Sequence, residues 1–144
     1  MMNRTVTVAV ICVTLGLAVR ASEKPAAPYQ EAMKNLGAAN ADLRKDVVAI
    51  ESAGAYPDYN PIEKDAATFK ASFTTALAFW TTKGSDDAVS LLQKGLKLVD
   101  DLEMARKEKN YDALMTAAAE LGKMCGACHT AHRERLPDGT FEIK

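Results

Sequence analysis

The residues with the clearest chemical potential are five consecutive ones near the carboxyl end, Cys125 to His129, which read Cys-Gly-Ala-Cys-His. This spacing is the attachment pattern of c-type haem, in which two thiols add to vinyl groups as thioethers and the adjacent imidazole binds iron. Because a helix turns about 100° per residue, Cys125, Cys128 and His129 would share one helical face. The sequence therefore predicts one covalently bound haem c, anchored by the two cysteines, with its iron bound by His129.

Two other chemistries use cysteines at this spacing. A redox-active disulfide of the thioredoxin type would follow a strand in a βαβ unit, whereas the segment before Cys125 is an Ala-rich helical pattern. A structural zinc site needs four ligands, and beyond residue 21 the chain has only two cysteines and two histidines. Haem attachment is the interpretation that the pattern favours over both.

Four amphipathic patterns are expected to position this motif. Apolar residues recur at intervals of three and four, which predicts helices over about Tyr29–Ser52, Pro61–Lys83, Ser85–Lys109 and from Asn110 to about Arg135. Short connections join the later helices, which is typical of antiparallel neighbours. The predicted fold class is all-α, an antiparallel up-down four-helix bundle with the haem near the C-terminal end of the last helix.

Local signals refine these boundaries. Asn60 and Asn110 are suited to capping helix starts, and Pro61 is suited to a first helical position. Pro137-Asp138-Gly139 predicts a turn, and the tail that follows, residues 140–144, alternates polar and apolar side chains without an evident function. The large side chains expected to pack in the bundle are Phe69, Phe73, Trp80, Met104, Met115 and Met124.

The amino terminus predicts export. Arg4 precedes an uncharged apolar run from Val6 to Val19, and small residues at Val19 and Ala21 suit signal peptidase. As a helix the run would rise about 21 Å, short of a hydrocarbon core of about 30 Å. We expect a signal peptide at residues 1–21, a single haem domain at residues 22–144, a periplasmic location and no membrane span after processing.

Charge and composition exclude some partners. The chain has 18 basic and 19 acidic side chains and no basic run, so it lacks the electrostatic footprint of a nucleic-acid-binding protein. Because acidic and basic side chains are nearly equal in number, we expect no surface that attracts a partner strongly by its charge.

A Cys-x-x-Cys-His motif late in the last of four helices, followed by Arg133, resembles the class II cytochromes c, the cytochrome c prime superfamily. The resemblance spans about residues 27 to 135. Class I cytochromes c carry the same motif near the mature amino terminus, so its position favours class II.

The resemblance implies roles for three further residues. Segment 33–37, Met-Lys-Asn-Leu-Gly, is similar to the methionine segment of the low-spin members, which makes Met33 the expected sixth iron ligand. Without that context, a methionine on a helical stripe is a packing residue. Arg133 is expected to hold a haem propionate or lie near the axial imidazole, although a last-turn arginine also suits the helix dipole. His132 replaces an aromatic residue of the family; we expect it partly exposed at the haem edge or surface, and not as an iron ligand.

These observations predict a monohaem cytochrome that exchanges single electrons with redox partner proteins, and not an enzyme. If Met33 packs away from the iron, the alternative is a five-coordinate haem protein that binds nitric oxide or carbon monoxide. A peroxidase-like activity would need a distal histidine or arginine, and the first helix offers only Lys34, Asn40 and Arg44. The resemblance also leaves a homodimer through the first two helices open.

Overall fold

The computed structural model describes residues 24–144, so the predicted signal peptide lies outside the described residues. The chain forms four helices, α1 (Ala27–Ser52), α2 (Pro61–Lys83), α3 (Asp86–Glu108) and α4 (Tyr111–His132). Two short strands follow, β1 (Arg133–Arg135) and β2 (Phe141–Ile143). The all-α prediction is confirmed, and the arrangement is compatible with a four-helix bundle.

The two predicted asparagine caps have different outcomes. Asn110 caps α4, since its side-chain oxygen accepts a hydrogen bond from the Ala113 amide at 3.1 Å. The prediction for Asn60 is wrong: its backbone is already helical, at φ −64° and ψ −37°, which differs from the extended conformation of a capping residue. Its amide instead donates to Asp58 Oδ1 at 2.9 Å. Pro61 occupies the first helical position as predicted.

The fourth helix is shorter than predicted. Instead of continuing to Arg135 it ends at His132, because Arg133 adopts extended backbone angles and pairs with Ile143 in an antiparallel hairpin. The predicted turn at residues 137–139 is confirmed: the Gly139 amide donates to the Leu136 carbonyl at 2.9 Å, with Gly139 at φ +85°. The C-terminal hairpin, defined as residues 133–143, was not anticipated.

The core lies along the apolar stripes of the helices. Its largest fully buried side chains are Leu43, Ile62, Phe69, Phe73, Val99, Leu102, Leu114 and Leu121. Trp80 and Met124 are also buried, as predicted. Met104 and Met115 are 56% and 39% exposed, so the prediction that they pack is wrong. At about 100° per residue, both methionines lie well over 90° from the centre of the buried stripe of their helix, so they belong to its outer face.

The helices pack in chain order, α1 on α2, α2 on α3 and α3 on α4, whereas α1 and α4 meet less closely. At Gly95 of α3, a Cβ would lie 2.6 Å from the end of the Met124 side chain and 3.2 Å from the Phe73 ring, so the glycine makes room for both side chains. In the described part of the chain, no helix is long and apolar enough to cross a membrane.

Candidate cofactor site

A cavity of about 510 Å³ lies where the first half of α1, the end of α4 and the C-terminal hairpin meet. This volume is in the range of small-molecule and cofactor sites. All five residues predicted from the sequence line the cavity: Met33, Cys125, Cys128, His129 and Arg133. Met33 therefore shares one concave surface with four residues that lie at least 92 positions later in the chain.

The α4 wall presents the two thiols. Cys125 and Cys128 are half-buried and form no disulfide. Burial raises the pKa of Cys128 to about 11 and also shifts the pKa of Cys125 upward. Redox-active cysteines have a lowered pKa because the thiolate is the reactive nucleophile. These cysteines are therefore neutral thiols, unlike those of a thioredoxin-type centre.

His129 contributes a neutral imidazole to the same wall. Burial, and then the Arg133 guanidinium, lower the pKa of His129 below its usual value. The neutral ring is the form that binds metals. Within residues 24–144, no three His, Cys, Asp or Glu side chains are grouped closely enough to hold a metal ion. A metal at His129 would need most of its ligands from a bound group.

The α1 wall presents Met33, Leu36, Gly37 and Asn40, whose spacing of three, one and three places them on one helical face. Met33 is half-buried and packs against the core. A Cβ built on Gly37 would meet nothing within 4 Å, so this part of the wall borders open space. Of the polar α1 residues considered for a peroxidase-like site, Asn40 lines the cavity, whereas Lys34 and Arg44 do not.

His132 is partly exposed, as predicted, and lies at the edge of the cavity. Its side chain is 13% exposed, and its ring lies 4.7 Å from the Trp80 ring while still lining the cavity. Its Nε2 lies 3.0 Å from Asp87 Oδ2, within ion-pair distance but outside hydrogen-bond geometry. The burial arises because α4 ends here, so that His132 packs against the end of α2.

Tyr29 is a lining residue that the sequence analysis did not identify. Its hydroxyl accepts a hydrogen bond from Trp80 Nε1 at 3.1 Å, and burial raises the pKa of Tyr29 to about 12, so it stays a neutral phenol. Tyr29 precedes Met33 by four positions, and that helical spacing was the available signal.

The other unpredicted wall is the hairpin, which contributes Thr140, Phe141, Glu142 and Ile143. The alternating polar and apolar residues of the tail were the available signal for a strand, but they did not indicate its partner.

The donor set fits a covalently attached haem. Two neutral thiols, a neutral imidazole and a thioether surround a mainly apolar space, and the open face at Gly37 leaves room for a flat ring. Comparison of the chain with protein-family models, curated proteins and solved structures found no match. The motif and the geometry of the cavity are therefore the features that point to a function.

Proposed function

We propose that this chain is an exported, periplasmic, monohaem c-type cytochrome of class II character that transfers single electrons between redox partner proteins. The observation that carries the proposal is the convergence at one cavity: the Cys-x-x-Cys-His residues form the α4 wall and Met33 belongs to the α1 wall. A motif match alone would not require a cofactor-sized space beside it or a soft ligand on a different helix.

The thiols and the imidazole fix the cofactor. Cys125 and Cys128 would hold the haem through thioethers, each formed by adding S–H across a vinyl double bond, which would consume no oxidant or reductant. His129 supplies a nitrogen lone pair to the iron from the same helical face.

Electron transfer needs a stable coordination shell and a dry site. A bound haem supplies the one-electron couple between ferric and ferrous iron. Met33 offers a soft thioether, which favours the ferrous state relative to a second imidazole and so raises the reduction potential. Leu36 and Ile143 are buried and give the cavity an apolar wall that disfavours water. Tyr29 remains protonated. No proton has to move for the chain to perform this role.

The test is the absorption spectrum of the mature protein, exported in a host able to attach haem. We expect a sharp low-spin ferrous spectrum and a sulfur-to-iron charge-transfer band in the ferric form. Met33→Ala should become high-spin and bind carbon monoxide, whereas Met104→Ala, at an exposed methionine outside the cavity, should keep the parent spectrum.

Other outcomes contradict parts of the proposal. Absence of covalent haem would overturn it entirely. An unchanged Met33→Ala spectrum would remove Met33 from the coordination shell. A parent protein that is already high-spin and binds carbon monoxide would favour a gas-binding function instead.

A further inference from the structure

The C-terminal hairpin is docked firmly against the end of α4. The Lys144 amide donates to the His132 carbonyl at 3.0 Å, and Lys144 Nζ donates to the Thr130 carbonyl at 2.9 Å. Ile143 is 9% exposed and belongs to the core, while residues 140–143 all line the cavity. The hairpin is therefore a structural wall of the site.

Within this hairpin, Phe141 lies against Arg133. The Arg133 guanidinium lies 4.1 Å from the centre of the Phe141 ring, an arrangement in which the cation interacts with the face of the ring. The strand register pairs Arg133 with Ile143 and Arg135 with Phe141, so Arg133 and Phe141 are diagonal neighbours across the two strands. Both side chains line the cavity.

The charge of Arg133 has no counter-ion among residues 24–144, where no carboxylate pairs with it. The lining also contains the cation Lys24 and the half-buried Glu142. An anionic group at this rim would be repelled by Glu142 and attracted by Arg133 and Lys24, so the position of the Arg133 cation affects how strongly it is held. Arg133 is exposed and has a flexible side chain, so something must hold it at the cavity.

We propose that Phe141 is a positioning residue, whose ring holds the Arg133 guanidinium at the cavity rim so that the cation faces a carboxylate of the bound cofactor. The inference depends on the proposed function, because that function supplies an occupant with carboxylate groups. A fixed cation also stabilises the form of the cofactor that carries one more electron. Phe141 thereby raises the reduction potential without touching the iron.

The experiment measures the reduction potential of the haem-loaded protein by mediated titration. Phe141→Leu keeps an apolar side chain but lacks the ring face, and we expect the reduction equilibrium constant to fall at least threefold. At 59 mV per tenfold change, this is about 28 mV. Phe141→Trp retains an aromatic face and should stay close to the parent. Arg135→Gln, which removes a cation that does not line the cavity, is the matched charge control and should have little effect.

A double variant separates positioning from a general effect of the mutation. Arg133→Gln should lower the potential at least as much as Phe141→Leu, and adding Phe141→Leu to it should cause no further change. A parent-like potential in Phe141→Leu would overturn the proposal. So would an equal effect of Phe141→Leu in the presence and absence of Arg133.

Failure of the proposed function can be recognised separately, because intact mass reports whether haem is attached. If it is not, NMR of the full chain tests the positioning itself. A ring-current displacement of the Arg133 side-chain signals, lost in Phe141→Leu and retained in Phe141→Trp, would support it. Signals identical in the parent and Phe141→Leu would overturn it.

Discussion

The two ends of the bundle are built differently. At the closed end, which contains the α1–α2 connection and the α3–α4 turn, side chains such as Ile62, Leu102 and Leu114 are completely buried. At the cavity end, α1, α4 and the C-terminal hairpin surround about 510 Å³ of space. None of the eight largest fully buried side chains lines that cavity.

This difference indicates that one end of the helices provides packing and the other end provides a binding space. Protein interiors are normally close-packed, and an unfilled cavity costs the contacts that its walls would otherwise make. The closed end supplies the packing that holds the helices, which allows the cavity end to keep a space for another group. Binding there should stabilise the fold, since a ligand of the native state adds to the free energy of unfolding.

The largest expected effect is loss of cofactor attachment at the cavity end. Cys125→Ser with Cys128→Ser should abolish covalent haem completely, because a hydroxyl does not replace the thiol in the attachment reaction. Intact mass after denaturation measures this directly. Ala127→Ser, an exposed change between the two cysteines, is the matched control and should retain haem. A denatured double variant that still carried haem would refute the anchoring roles.

A second experiment compares leucines at the two ends in the haem-free chain. Leu114→Ala at the closed end should lower the free energy of unfolding by about 2–5 kcal/mol, the usual cost of a cavity in a packed core. Leu36→Ala should cost about half as much, since Leu36 already borders open space and its removal leaves fewer contacts unmade. Urea unfolding measures both. Equal losses would show that the two ends are packed alike in solution.

The core side chains and the α4 wall of the cavity could be predicted from the sequence, because both depend on residues close together in the chain. Helical periodicity placed Phe69, Phe73 and Trp80 in the core. The rotation per residue likewise placed Cys125, Cys128 and His129 on a common wall.

The features that sequence reasoning missed depend on distant contacts. The ring of His132 contacts Trp80, 52 positions earlier, and α4 ends because a strand from the tail pairs with Arg133. No local pattern reports such partners, although the alternating tail was compatible with a strand. The hydrogen bond from Trp80 to Tyr29 also joins residues far apart in the chain, which is why the sequence did not indicate it.

A smaller effect on stability is expected from a buried carboxyl group, that of Asp65, in the packed part of the bundle. Asp65 of α2 is 2% exposed, and its Oδ2 has no hydrogen-bond partner among the described residues. Burial, followed by the carboxylates of Asp46 and Asp42 on α1, raises the pKa of Asp65 from 3.8 to about 6, against a weaker opposing effect of Lys64. The folded protein therefore binds a proton between about pH 4 and 6 that the unfolded chain has released.

The sign follows from this linkage. Because the native state holds more protons in that window, the free energy of unfolding should fall as pH rises from about 4 to 6 and remain lower above it. Asp65→Asn should remove this slope and stabilise the protein at pH 7 by about 1–3 kcal/mol. Urea unfolding at pH 4.5 and pH 7 measures the change, with Glu31→Gln, an exposed change on α1, as control. If the parent and Asp65→Asn differ equally at both pH values, the buried-proton account is wrong.

The smallest expected effect on stability comes from two helix starts at the closed end, Asn60 before α2 and Asn110 before α4, which look alike in the sequence. Asn110→Ala should lower the free energy of unfolding by about 1 kcal/mol, because it leaves the Ala113 amide without its 3.1 Å acceptor. Asn60→Ala should change it by no more than about 0.3 kcal/mol, since the Asn60 side chain caps nothing and Asp58 holds its amide. Thermal unfolding of the two variants in parallel measures the difference. A larger loss at Asn60 would mean that α2 starts in solution as the sequence suggests, with the side-chain cap formed. The expected result would instead show that an asparagine stabilises a helix start only where its own backbone is extended, as at Asn110 and not at Asn60.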